Sequence, residues 1–241
     1  MQSEGIALEA LKSDAKNSKL LNVLGMVELE RRNSEEEAAR FRKALSIEQR
    51  PEFLMNLWQS REDGGEQIPL KELEDALNLW PNEPALLLRM ANRLIEEFQN
   101  TGKTEQIAKA QEILASLIGR SWPGLLSSPE SAAKTVPPLD RDLAGLSLNS
   151  YAGTLYWNKQ IARATELIRG ALILSENVGI KFSLGQILAG AGNYQDAIPA
   201  YQAAIDAGKT DTITIKVLSA VRAWNHVSER QIGIADKTML D

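Results

Sequence analysis

The stretch 184–208, LGQILAGAGNYQDAIPAYQAAIDAG, constrains this chain more than any other part of it. It reads as two short antiparallel helices around a tight turn. Leu184, Gly185 and Leu188 lie on the first helix. AGAGN forms the turn, with Gly190 and Gly192 supplying conformational freedom. Asn193 is placed to cap the second helix, and Asp196, three residues on, is placed to answer it. Ala197, Tyr201 and Ala204 follow at spacings of four and three, which puts them on one helical face. Gly185, Ala197 and Ala204 are small enough to let the two helices approach closely, while Leu188 and Tyr201 fill the remaining gaps.

Leu184, Gly185, Leu188, Gly192, Tyr194, Ala197, Tyr201 and Ala204 together resemble the tetratricopeptide repeat (TPR). That 34-residue pattern has Leu-Gly, a large apolar residue, a Gly-Asp/Asn-Tyr turn, then Ala, an aromatic and Ala. The resemblance implies an all-α fold, a right-handed α-solenoid of about five TPR-like helix-turn-helix repeats with a C-terminal capping helix. It implies stability by nearest-neighbour stacking of repeats.

Taken in order, 1–16 reads as an N-terminal half-repeat helix. Ala10 and Ala15 stand 34 residues before Ala44 and Gln49, so the chain is expected to begin in mid-repeat, as if cut from a longer array. Repeats one to three occupy 18–120. The first, about 18–50, has Leu24 and Gly25 at the Leu-Gly positions and Phe41 and Ala44 at the aromatic and small ones. Ser34 and Glu37 form a capping box between its helices, and Glu35, Glu36 and Glu37 meet the positive end of a helix dipole. The second, about 51–82, turns at Gly64 and Gly65, with Pro69 early in its second helix and Pro81 just past it. The third starts at Pro84, with Met90 and Ala91 in place of Leu-Gly and a long turn at NTGKT. A Pro/Ser-rich insertion, 121–142, breaks the period, with one short helix expected from Ser128 and Pro129 to about Lys134. Repeats four and five occupy 143–211, with Ala164, Ile168 and Ala171 in the small-large-small positions of repeat four. A capping helix is expected over 212–228 and a weakly patterned tail over 229–241.

Composition restricts function more than fold. A formal charge of −5 over 241 residues argues against a nucleic-acid surface. There are no cysteines, so disulfides and thiolate metal sites are absent. Their absence fits the cytoplasm or, if the chain is cut from a longer exported one, the periplasm. The N-terminus has no basic region followed by an apolar run, and no stretch is apolar enough to span a bilayer, so no direct membrane insertion is expected. A single histidine, His226 near the end of the expected capping helix, leaves no His-based triad or two-histidine metal site. GAGN at 190–193 follows a helix instead of a strand, so it is a repeat turn and not a phosphate loop. The carboxylates at Glu35 to Glu37, Glu62 and Asp63, and Asp140 and Asp142 read as solvated helix ends. No catalysis, cofactor or metal is expected.

In TPR proteins the first helices line a concave groove. The resemblance places Asn22, Met26, Trp58, Arg61, Asn92, Asn149, Tyr156, Trp157, Phe182 and Gln186 on it. These aromatic, amide and cationic groups are the kinds that grip extended peptides or partner helices. Trp58, Tyr156 and Trp157 read equally well as core between helices. The asparagines fit a groove better, because they weaken a helix interior and can bond a peptide backbone without charge. The dicarboxylate clamp of chaperone-binding TPR domains is poorly matched: its positions hold Asn22 and Met26 in repeat one and Ala85 and Arg89 in repeat three, and only the arginine fits. The expected function is a non-catalytic scaffold that binds a protein or peptide in the groove. The alternative is a TPR arm of a larger bacterial assembly or enzyme, such as an exopolysaccharide-export lipoprotein or a glycosyl- or sulfotransferase. Self-association through the open ends or the groove is compatible with either.

Overall fold

Helix pairs recur along the chain because small residues on one helix repeatedly face large ones on the next. The computed structural model describes residues 9, 14, 16–30 and 34–238, with 30, 34, 35 and 228–238 described by backbone alone. The described residues are all-α, a helical-repeat solenoid without strands. Its helices are α1 (Ser18–Glu30), α2 (Ser34–Ile47), α3 (Pro51–Asp63), α4 (Leu70–Leu79), α5 (Pro84–Thr101) and α6 (Thr104–Ser121). They continue as α7 (Pro129–Ala132), α8 (Arg141–Trp157), α9 (Ile161–Leu174), α10 (Val178–Gly190), α11 (Tyr194–Asp206) and α12 (Thr212–Thr238). The chain divides into two compact units, Met1–Met90 and Ala91–Asp241. Apart from residues 9, 14 and 16, the expected N-terminal half-repeat helix lies outside the described residues.

In the first unit α1 packs on α2 and α2 on α3. The Phe41 ring lies directly against Gly25, where a Cβ atom would come within 2.5 Å of it. Phe41, Leu24 and Ala44 are buried, and Leu21, Ala44 and Phe53 form one apolar cluster. Pro51 opens α3, as its missing N–H allows at a first helical position. Glu37 corrects one expectation. It is not solvated but 1 % exposed, and its Oε1 accepts a hydrogen bond from Ser60 Oγ at 2.7 Å. The Ser34 side chain of the expected capping box lies outside the described residues.

In the second unit α5 and α6 are joined by Gly102 and Lys103 alone, so the expected long turn is mostly helix. Gly102, at φ +70°, makes so short a reversal possible. The insertion is more structured than its composition suggests. Trp122, Leu125, Pro129, Ala133 and Val136 are buried, and α7 packs on α9 through Pro129, whose Cβ occupies the space a side chain at Gly170 would need. Arg163 donates to the Leu126 carbonyl, and Arg141 to the carbonyls of Ala133 and Ile173 at 3.4 and 2.5 Å. Asp142 is exposed, as expected, and it also accepts from Ser175 Oγ at 2.7 Å, which ties the start of α8 to the end of α9.

The α10–α11 pair matches the expectation closely. Asn193 Oδ1 accepts from the Asp196 N–H at 3.3 Å, and its Nδ2 donates back to Asp196 Oδ2 at 2.7 Å. Tyr201 is 2 % exposed against Gly185, and burial pushes its phenol up to about 12. Gly192 has φ +77°, as the turn requires. Gly190 is not a turn residue but the end of α10, and it is small because Tyr156 occupies the space beside it. Leu218 and Val221 of α12 close the cluster formed by Leu188, Ala197 and Tyr201. Asp211 caps α12, accepting from the Thr214 N–H at 2.9 Å and from its hydroxyl at 2.8 Å. That helix runs on to Thr238, through most of the expected tail, since no proline follows to stop it. His226 consequently lies well inside α12 and not at a helix end.

Candidate functional site

Polar and aromatic groups of the first helices make contacts with one another within each unit. In the first unit Asn56 Nδ2 donates to Asn22 Oδ1 at 2.9 Å, from α3 to α1. Asn22 Nδ2 also contacts the Met26 sulfur at 3.8 Å, and Met26 is half exposed. Asn56 further lines an open cleft of about 710 Å³ with Arg50, Met55, Glu83 and Ala85. Asn56 was missed in the sequence, although it stands one 34-residue period after Asn22.

Two expected groove residues of this unit are packing groups instead. Trp58 is 1 % exposed. Its Nε1 donates to Glu72 Oε2 at 3.2 Å, and the Arg89 guanidinium lies 5.6 Å from its ring centre. Arg61 binds Glu72 at 2.5 and 3.1 Å and Glu66 at 2.8 Å. These bonds hold the Glu72 carboxyl below the usual carboxylate range and keep the Arg61 charge occupied within the unit. Arg89, the single match to the dicarboxylate clamp, is paired with Glu62. An arginine already neutralised and stacked on Trp58 is poorly placed to take a partner's carboxylate.

In the second unit the expected groove residues lie on α5, α8 and α10. Asn92 on α5 accepts from Ser150 Oγ of α8 at 2.7 Å. Asn149 is partly buried, and among the described residues its Oδ1 has no hydrogen-bond partner. Trp157 is 40 % exposed, held edge-on by Phe98 at 5.5 Å and Tyr156 at 5.6 Å between ring centres. Tyr156 is partly buried and wedged against Gly190, so it joins α8 to α10. Phe182 is turned toward α11, edge-on to Tyr201 at 5.4 Å and covered by the Lys209 ammonium at 4.9 Å. It is chiefly a packing residue, contrary to expectation. Gln186 is exposed. Ser150 and Phe98, which contact Asn92 and Trp157, were missed, because such residues on a helix carry no signal until their neighbours are known.

Among the described residues no group of three or more His, Cys, Asp or Glu side chains is placed to hold a metal ion. No described helix is long and apolar enough to cross a membrane.

Residues 158–212 match the family described as tetratricopeptide repeat. No curated protein sequence matches the chain. Its fold is similar to that of a thermophilic TPR protein of Thermus thermophilus, with TM-score 0.57 and 15 % identity over 86 % of this chain and 99 % of that one. It is also similar to the assembly chaperone of RpL4, with TM-score 0.56 and 13 % identity over 97 % and 93 % of the two chains. At these identities the likeness is one of fold.

Proposed function

We propose that this chain, a tetratricopeptide-repeat protein, works as a non-catalytic scaffold that binds a peptide or an extended segment of a protein partner along its first helices. One observation carries the reading: asparagines recur on those helices in both units, as Asn22 and Asn56 in the first and Asn92 and Asn149 in the second. Asparagine weakens a helix interior, so its repeated use there calls for another reason. An amide offers a donor and an acceptor at once, which suits a peptide backbone and costs no charge burial. Trp157 supplies an exposed aromatic anchor beside them. The acidic overall charge supports a protein partner over a nucleic acid.

The test is selection of a random dodecapeptide library on the full chain, followed by affinity measurements on synthesised winners. Asn149→Ala and Trp157→Ala are each expected to weaken binding by about tenfold, or about 1.4 kcal/mol, with far-UV circular dichroism unchanged. Equal binding by both variants would refute the assignment.

A further inference from the structure

A second cleft in the first unit has no part in the groove. It is open, measures about 330 Å³ and lies among α2, α3 and α4. Each helix turns one face to it. From α2 come Leu45 and, just past the helix end, Gln49, four residues apart. From α3 come Leu54 and the buried Trp58, also four apart. From α4 come Glu72, Asp75, Ala76 and Leu79, at the spacing of a single helical stripe, and Trp80 follows. Asn56 stands two residues from both Leu54 and Trp58, so it lies on the opposite side of α3, where it lines the larger cleft.

The lining narrows the occupant. Leu79 is 60 % exposed, and Leu45, Leu54 and Trp80 are half-buried, so three helices direct apolar groups into one space that the fold leaves unfilled. Ligand cavities start at about 300 Å³, which gives this one room for a single large side chain. Small-molecule sites bury most of their ligand. An open cleft suits instead a side chain whose backbone runs on outside it.

Charge narrows it further. Among the described residues the lining carries two carboxylates and no cation. Glu72 is already engaged by Arg61 and Trp58. Asp75 is held by Lys71, one turn back on the same helix, at 2.7 Å, with both side chains more than half exposed. A pair so exposed contributes little and yields readily to a cation that brings its own apolar group. The larger cleft mixes Arg50 with Glu52 and Glu83 and favours neither sign.

We propose that this cleft receives a basic, apolar segment of a protein partner. One Phe, Trp, Leu or Met side chain enters between Leu54, Leu79 and Trp80, and an adjacent Lys or Arg takes Asp75 from Lys71. The site is separate from the groove and stands whether or not the groove reading does.

The test is titration of the 15N-labelled full chain with acetyl-Gly-Phe-Lys-amide. The indole N–H signals of Trp58 and Trp80, assigned with Trp58→Phe and Trp80→Phe, report on the cleft. Both should move saturably, with a Kd of about 1 mM or below. Acetyl-Gly-Phe-Glu-amide and acetyl-Gly-Ala-Lys-amide should each bind at least about fivefold more weakly. Asp75→Lys and Leu79→Ser should weaken the first peptide by at least about fivefold while leaving Tm within about 2 °C, since both side chains are mostly exposed. Asn56→Ala should bind it as the parent does. The three peptides need no variant, so a folding defect in Asp75→Lys or Leu79→Ser leaves the test intact. Signals that stay still at about 10 mM peptide overturn the proposal, as does equal binding of the Lys and Glu peptides. Binding that survives both Asp75→Lys and Leu79→Ser, or that Asn56→Ala weakens as much as they do, puts the peptide elsewhere and overturns it too. Phenethylammonium binding more tightly than the peptide assigns the cleft to free amines and overturns the protein-segment reading.

Discussion

Replacing Gly185 with alanine tests the contact around which each repeat is built. The new methyl would lie 2.7 Å from Cδ1 and 2.8 Å from Cε1 of Tyr201. Ordinary carbon contacts sit at about 3.5–4.0 Å. Tyr201 is 2 % exposed and is met by the Phe182 ring at 5.4 Å, so it has little room to swing aside. Overpacking of this kind costs about 1–3 kcal/mol. Against it stands a helix-propensity gain of roughly 1 kcal/mol. The clash outweighs the gain, leaving a net loss of up to about 2 kcal/mol and a Tm lower by up to about 8 °C for a chain of this length. Thermal unfolding followed by far-UV circular dichroism measures it. Tyr201→Leu removes the ring, so Gly185→Ala on that background should be neutral or stabilising, a coupling of about 1–3 kcal/mol in the double-mutant cycle. A Gly185→Ala variant that melts at or above the parent, or that loses as much with Leu at 201, would refute the packing argument.

Trp58→Ala should cost about 3–5 kcal/mol as a buried-ring deletion, and Trp157→Ala less than half of that, since its ring is part-exposed; melting curves of the two variants decide. Asn193→Ala removes the cap on α11 and should lower stability by about 1 kcal/mol, read as a shift of the urea midpoint at constant m-value. Glu72 has its carboxyl lowered by hydrogen bonding from Arg61, then by that group's charge and the bond from Trp58. Its pairing therefore stabilises the fold above the unfolded carboxyl pKa of about 4.3, and the benefit is lost as pH falls through the folded value. The Glu72 side chain is 39 % exposed, so solvent limits the effect to under about 1 kcal/mol. Glu72→Gln should lower Tm slightly at pH 7 and match the parent near pH 3, as a Tm-against-pH series would show.

Much of the helix-pair architecture was legible in the residues. Alternating small and large residues at helical spacing permit one close packing, so Gly25 under Phe41 and Gly185 under Tyr201 could be paired from the pattern. The Asn193 cap was legible for the same reason, since capping is local and needs only residues three apart. The proposed binding face was legible only in part. Asn22, Asn92, Asn149, Trp157 and Gln186 fall on exposed or partly exposed first-helix positions, while Trp58, Arg61 and Phe182 were drawn into packing.

What the sequence by itself determined is therefore the repeat: which residues are small, which are large, and where each helix begins and turns. These follow from interactions within one helix pair, which spacing encodes. What the tertiary structure alone decided is the fate of each remaining side chain. Trp58 and Trp157 are the same residue on comparable helices, yet Glu72 and Arg89 enclose one, while Phe98 and Tyr156 leave part of the other in solvent. Gly170 is filled by Pro129 from an insertion 41 residues upstream in the chain, whereas Gly153 is filled by nothing. Burial depends on what arrives from elsewhere in the fold, and no local spacing records that arrival.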